Sequence, residues 1–246
     1  MITKIEELSM NAFPALSTVL LNGWVLRFAN GYAKRANSVN PIYKCNIDLE
    51  NNISLCENMY KSNGLDTVFK LTENEDSYKI DEILKKRGYS YEAKTNIMLL
   101  DIGNLQATEE NVNVVIYNKI NDKWFEAFVR INKVNPYNKE TLKLMLSRII
   151  PQVYCACILE DNEIVAVGLG VAQGEYIGMY DICVQEDKRR TGFGTRIMKS
   201  LMREAALNGY KYSYLQVVDA NEGAKLLYKG LGYEKQYSYW YRVKTF

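Results

Sequence analysis

The chain contains no histidine among its 246 residues. That absence removes Ser-His-Asp and Cys-His catalysis, histidine-ligated metals, and imidazole as a general base. Cysteine is scarce and scattered: Cys45, Cys56, Cys155, Cys157 and Cys183 are an odd set without a CxxC pair. Such usage favours reduced thiols in a cytosolic compartment. Cys155 and Cys157 share one face of an expected strand, where small buried hydrophobes are the ordinary reading, so no metal is expected. Long apolar runs are also missing. The most apolar stretch, residues 13–29, is interrupted by Pro14, Ser17, Thr18, Asn22, Gly23 and Arg27, which no spanning helix would carry so evenly. The opening "MITKIEELSM" holds acids and lacks the apolar centre of a secretory signal. A net charge of +2 gives no bulk field for nucleic acid or an anionic membrane. The expectation is a soluble, cytoplasmic protein with neither kind of partner.

What is present is a globular composition, 48% hydrophobic and 24% charged, long enough for one large domain or two ordinary ones. In the C-terminal half, "EIVAVGLGVAQ" and "EYIGMYDICV" read as a strand hairpin through Gly174. From Thr195 onward Ile197, Met198, Leu201, Met202 and Ala205 form the stripe of a half-buried helix, stopped at Asn208 and Gly209. A strand "YSYLQVV" follows, then a helix capped by Asp219 or Asn221 and ended by Gly230 and Gly232. The alternating strand "YEKQYSYWYRV" comes last. Upstream, "WFEAFVRINKV" and "KETLKLMLSRII" read as helices and "VYCACILED" as a strand. Residues 112–246 thus make one α/β unit.

Residues 1–105 read as a faded copy of the same order. "GWVLRFANGYAKRANSV" reads as a hairpin, "ISLCENMYKSNG" and "YKIDEILKKRG" as helices, "LDTVFKL" and "YSYEAKTNIMLLDI" as strands. An offset of 145 lays "DICV" (181–184) on "ANSV" (36–39) and "NGYKYSYLQV" (208–217) on "NGLDTVFKLT" (63–72). The residues facing Arg189, Gly192 and Gly194 are then Lys44, Ile47 and Leu49, with Asp48 and Glu50 nearby. A cleft of that chemistry would not attract phosphate.

The loop "RRTGFGTR" (189–196) joins the strand ending "DICV" to the helix. Holding pyrophosphate requires inward backbone N–H groups, glycine where a side chain would block approach or φ is positive, and a helix N-terminus. Gly192 and Gly194 answer the need for glycine, Thr195 begins the helix, and Lys188, Arg189, Arg190 and Arg196 add positive charge. A lone Gly-x-Gly would read as a solvated turn. It is neither a Walker loop, lacking the Lys-Ser/Thr pair, nor a dinucleotide fingerprint, lacking the third glycine.

"VQEDKRRTGFGTRIM" together with "NEGAKLLYKGLGY" resembles the GNAT superfamily of acyl-CoA-dependent N-acyltransferases, whose loop pattern Arg/Gln-x-x-Gly-x-Gly/Ala is filled by Arg189, Gly192 and Gly194. The resemblance is specific over residues 112–246 and weaker over the first half, which looks like the degenerate N-terminal repeat of two-lobed members. It implies an α/β fold of tandem GNAT-like lobes, each a mixed, mainly antiparallel twisted sheet flanked by helices, with catalysis in the second. It implies acetyl-CoA as cosubstrate and no metal. Its pyrophosphate would lie on the N–H groups of Arg190, Thr191, Gly192, Phe193, Gly194 and Thr195. Its pantetheine arm would add beside Ile182, Cys183 and Val184, with Asn221 and Ala224 on the far side. Tyr228 matches the family tyrosine that meets the thioester sulfur and can protonate the leaving thiolate; read without the resemblance it is a core aromatic on an amphipathic helix. The first copy has Leu84 there, which donates nothing.

The acceptor's base is the poorest part of the reading. Glu175 is the candidate, with Asp181 the other carboxylate on the strand, and a water chain to solvent would also serve. Tyr180, Arg35 and Asn37 are candidate substrate contacts, Arg35 reading a carboxylate. The expected function is acetyl transfer to a primary amine of a small molecule or peptide. The alternative is a non-catalytic acyl-CoA sensor or interaction module.

Overall fold

A computed structural model describes residues 1–103 and 113–246; residue 112, where the second lobe is expected to begin, lies outside them. In chain order the elements are α1 (Ile2–Ala12), β1 (Ser17–Leu21), β2 (Trp24–Phe28), β3 (Val39–Asn40), α2 (Leu49–Ser62), β4 (Thr67–Thr72), α3 (Glu75–Lys86), β5 (Ser90–Asp101), β6 (Val114–Tyr117), α4 (Asp122–Ile131), α5 (Pro136–Ser147), β7 (Gln152–Glu160), β8 (Glu163–Gln173), β9 (Tyr176–Val184), α6 (Phe193–Leu207), β10 (Tyr212–Val218), α7 (Glu222–Gly230) and β11 (Glu234–Lys244).

The chain packs as two compact units. One holds Met1–Ile97, Val218–Ala220 and Gln236–Phe246; the other holds Met98–Val217 and Asn221–Lys235. The division is not linear. Tyr239–Lys244 of β11 pair antiparallel with Thr67–Thr72 of β4, so the end of the chain builds the N-terminal unit.

In that unit β2 pairs antiparallel with β3, and β3 pairs parallel with β4. In the C-terminal unit the sense repeats: β8 pairs antiparallel with β9, and β9 parallel with β10. α2 then occupies the place in the order that α6 has, and α3 that of α7. The first hairpin differs from expectation. It turns at Asn22 (φ 49°) and Gly23 (φ 91°), joining β1 to β2. Two consecutive left-handed residues suit the twist of a tight hairpin, and Asn-Gly is the pair that adopts them most readily. Residues 29–38, expected inside a hairpin, form a loop instead.

Each unit has its own core. Trp24, Leu26, Ile53, Phe69, Leu71, Ile80 and Leu84 are buried together in the first. In the second, Ile197, Met198, Leu201, Met202 and Ala205 of α6 pack with Ile177 and Met179 of β9 and Leu215 and Val217 of β10. The helical stripe and the strand alternation read from the sequence are the two surfaces that meet here.

The helix starts follow one rule with two exceptions, α1, which follows Met1 without a side-chain cap, and α6. Asp48, Asn74, Asn121, Asn135 and Asn221 each accept a hydrogen bond from the first turn of α2, α3, α4, α5 and α7. α6 instead begins at Gly192, which has no side chain to offer, and it starts at Phe193 rather than the expected Thr195.

Candidate active site

β9 is interrupted where the site forms. Its ladder with β8 runs from Gln173–Tyr176 to Leu169–Tyr180 and resumes at Val167–Cys183 and Ala166–Val184. Between them Asp181 and Ile182 face the single residue Gly168, a β-bulge in which Asp181 takes φ 53°. A Cβ on Gly168 would lie 2.4 Å from Ile197 Cγ2 and 2.8 Å from Ile182 Cδ1, so only glycine lets α6 come this close. On its other edge β9 pairs with β10 from Tyr176–Tyr212 to Met179–Leu215, and among the described residues no further. The backbone from Ile182 to Val184 therefore lies beyond that ladder, at a place in the sheet where an extended chain could add.

Past Val184 the chain curls into α6. Arg190 (φ 63°) and Gly192 (φ 86°) both adopt the left-handed region. The first bond of the helix is from Arg196 N–H to Gly192 O at 3.0 Å. The amides of Phe193, Gly194 and Thr195 have no partner among the described residues, as a helix start without a cap leaves them. Their dipole is positive and unopposed. Around them, Arg189 Nε donates to Val184 O at 3.3 Å and the Arg196 guanidinium stacks 4.6 Å from the Phe193 ring centre. Arg190 is exposed, while Lys188 is drawn off by Glu160 at 2.7 Å.

Tyr228 projects from α7, its ring edge-on to Tyr233 at 6.1 Å. Its hydroxyl makes no hydrogen bond among the described residues. Burial, and then the neighbouring Cys183 thiol, push Tyr228 up to about 12. Burial and the Asp181 carboxylate likewise hold Cys183 up to about 12 against the opposing pull of Arg189. Tyr228 packs against the same core cluster as Ile182 and Val184 of β9. Asn221 caps α7 by accepting from Ala224 N–H at 3.1 Å, and Ala224 packs on the core of the same unit. Ile182, Cys183, Val184, the 189–195 loop and Tyr228 are brought into one region of the C-terminal unit.

Tyr180 lies just before the bulge, buried, its hydroxyl 2.9 Å from that of Tyr214. Gly178 makes room for the pair, since a Cβ there would lie 2.6 Å from the Tyr214 hydroxyl. The sequence reading missed Gly168, Gly178 and Tyr214. The signal was available in two glycines inside strands that are otherwise apolar, since such glycines mark bulges and close approaches.

Glu175 does not join this region, and Arg35 and Asn37 belong to the N-terminal unit. Glu175 sits in the β8–β9 hairpin turn, ion-paired with Lys211, while its carbonyl accepts from Lys211 and Tyr212 N–H. Ile182 is about 23 Å further along at the ~3.3 Å rise of a strand residue. Asn37 is a loop organiser in the N-terminal unit: its Oδ1 accepts from Ala29 and Gly31 N–H at 2.7 and 3.0 Å, and its Nδ2 donates to the Ala29, Tyr32 and Ala33 carbonyls. A buried amide so fully used has nothing left for a substrate. Arg35, in the same unit, lies over the Phe13 ring at 5.0 Å, and its carbonyl accepts from Arg27 at 2.5 Å.

All five cysteines are free, and no cluster of three metal-ligating side chains occurs among the described residues. Among the same residues no helix is long and apolar enough to cross a membrane.

The family described as "Probable histone acetyltransferase Rv0428c C-terminal" matches residues 1–242. The chain belongs to this family of GNAT acetyltransferases. The GNAT fold spans both units. The chain is 26% identical over 248 residues to "Uncharacterized N-acetyltransferase YobR" of Bacillus subtilis, covering 99% of this chain and 98% of that one. It is similar in structure to a GCN5-related N-acetyltransferase from Kribbella flavida, with a TM-score of 0.72 at 13% identity over 99% of this chain and 95% of the other. It is also similar to a tandem GNAT protein from the clavulanic acid biosynthesis pathway, with a TM-score of 0.69 at 9% identity over 98% and 87%.

Proposed function

We propose that this GNAT acetyltransferase moves an acetyl group from acetyl-CoA to a primary amine of a small molecule or peptide, with the chemistry in the C-terminal unit. The observation that carries the reading is the uncapped start of α6 beside a bulged β9 whose ladder with β10 ends at Met179. Gly194 supports it. Its φ is not in the left-handed region, and a Cβ there would meet only Leu227 Cδ2 at an ordinary 3.7 Å. Neither conformation nor packing within the chain asks for glycine at that position, whereas close approach of a ligand to the backbone would.

The residues fit the cosubstrate. The amides from Arg190 to Thr195 would hold the pyrophosphate, with Arg189 and Arg190 adding charge. The backbone of Ile182, Cys183 and Val184 would take the pantetheine arm as a strand, with Asn221 and Ala224 opposite. When bound, acetyl-CoA supplies the acetyl group as a thioester whose sulfur departs as a thiolate. An amide of the bulged strand near Ile182 polarises the carbonyl. Tyr228 offers its hydroxyl to the sulfur. With its pKa at about 12 it is a weaker acid than an ordinary thiol of about 8.5. Tyr228 therefore stabilises the developing charge chiefly as a hydrogen-bond donor. Tyr180 and Tyr214 stay on the acceptor side of the proposal, and Glu175 has no part in it.

The test is thiol release from acetyl-CoA against a panel of primary amines. Release that depends on an amine supports transfer. Tight acetyl-CoA binding with no release for any amine would favour a non-catalytic sensor.

A further inference from the structure

The N-terminal unit contains a cavity of about 460 Å³ lined only by its own residues. Trp24 and Ile80, each 1% exposed, are the buried members of its apolar lining. Lys44, Glu75, Asp76 and Lys79 form its exposed polar part. The volume lies in the range of about 300–1,000 Å³ typical of small-molecule sites.

The cavity is preformed. Gly23, at φ 91°, passes under the 41–47 loop so closely that a Cβ would stand 2.3 Å from the Lys44 carbonyl oxygen. Tyr43 N–H donates to Gly23 O at 3.3 Å, and the Tyr43 hydroxyl donates to Glu7 Oε1 on α1 at 2.6 Å. The loop is held from both sides.

Its chemistry is not that of a phosphate cradle. α2 begins with Asp48, whose carboxylate accepts from Asn51 N–H at 3.0 Å, and α3 begins with Asn74, which accepts from Ser77 N–H at 2.8 Å. Both helix starts are filled by the chain's own acceptors, and Glu75 and Asp76 add negative charge to the first turn of α3. The polar lining is balanced, two lysines against two carboxylates. Asp76 and Lys79 pair with each other at 3.5 Å. Lys44 and Glu75 have no partner among the described residues, and neither does the Nε1–H of the buried Trp24. The lining thus holds one cation and one anion without a protein partner, beside a buried tryptophan.

We infer that this cavity binds a free α-amino acid with an apolar side chain. Its carboxylate answers Lys44 and the Trp24 indole N–H, its ammonium answers Glu75, and its side chain covers Trp24 and Ile80. A simple acid would leave Glu75 unanswered. A simple amine would leave Lys44 and Trp24 so. The site is separate from the proposed acetyl transfer and does not depend on it.

Titration calorimetry of the full chain with L-leucine, L-methionine and L-phenylalanine tests this, with leucinamide, 4-methylpentanoate and inorganic pyrophosphate as controls. Saturable binding is expected for at least one of the three amino acids. The amide and the simple acid are expected to bind at least about tenfold more weakly, as loss of a charge-assisted contact implies, and pyrophosphate is not expected to compete. Lys44→Met and Glu75→Gln, both on exposed side chains, are each expected to weaken binding by about tenfold or more while leaving amine-dependent thiol release unchanged. No binding of any of the three, equal binding of leucinamide, competition by pyrophosphate, or parental affinity in both variants would overturn the assignment.

Discussion

The Cβ that Gly168 lacks would stand 2.4 Å from Cγ2 of Ile197. One absent carbon therefore sets how closely α6 packs under the bulge of β9. Ile197 is fully buried and β-branched, so it cannot swing aside. Gly168→Ala is expected to cost roughly 1–3 kcal/mol, the usual cost of overpacking, and to raise the KM for acetyl-CoA by displacing Ile182. Urea unfolding with parallel kinetics checks both.

Tyr228→Phe separates chemistry from stability. The hydroxyl has no partner among the described residues, so the variant should unfold within about 0.5 kcal/mol of the parent, while kcat falls by about tenfold or more. The pH dependence has a definite sign. Burial raises Tyr228 from 10.0 to about 12, so the donor form is complete at neutral pH and is lost only as pH rises through the raised value. The parental rate should show no falling limb near pH 10 due to this group. A descending limb there that vanishes in Tyr228→Phe would contradict the assignment.

Asn37→Ala should act on the fold and not on the substrate. Its two accepted and three donated hydrogen bonds organise the 29–37 loop. Leaving those backbone groups unsatisfied costs about 1–3 kcal/mol each at most, so thermal stability should drop while the KM for the acceptor stays put. An altered acceptor KM at unchanged stability would return Asn37 to the substrate site.

The thiols are expected to react in a set order. Burial pushes Cys56 and Cys155 up to about 12 and Cys157 up to about 11, and Cys183 is held up to about 12 although it is only half-buried. Thiolate is the reactive form, so all four should label slowly near pH 8. Cys45, half-buried at the N-terminal cavity, should label first. Mass spectrometry after brief treatment with a disulfide reagent reads the order.

Much of this was legible in the residues because it is local. "EIVAVGLGVAQ" and "YSYLQVV" carry strand periodicity and coincide with β8 and β10, and the stripe from Ile197 to Ala205 is the buried face of α6. The loop motif was legible because glycine spacing and arginines are side-chain facts. What failed to show was non-local. Nothing in "YEKQYSYWYRV" says that its partner is β4, far back in the chain, because alternation gives faces and not neighbours. The bulge at Asp181 was hidden for a related reason, since it exists only against Gly168 on another strand. Glu175 looked catalytic on the strand-type count of carboxylates, until the hairpin placed it at the wrong end of β9 beside Lys211. Asn37 was read on the first copy's equivalent of the acyl-CoA strand, whereas it lies in the 29–38 loop and holds that loop's backbone.

The most direct test of the central claim is the steady-state rate of CoA thiol release from acetyl-CoA, with and without primary amines, for the parent and Tyr228→Phe. The account predicts release that requires an amine and falls by about tenfold or more in the variant. Release that no amine stimulates, or a variant as fast as the parent with a good acceptor, would contradict it.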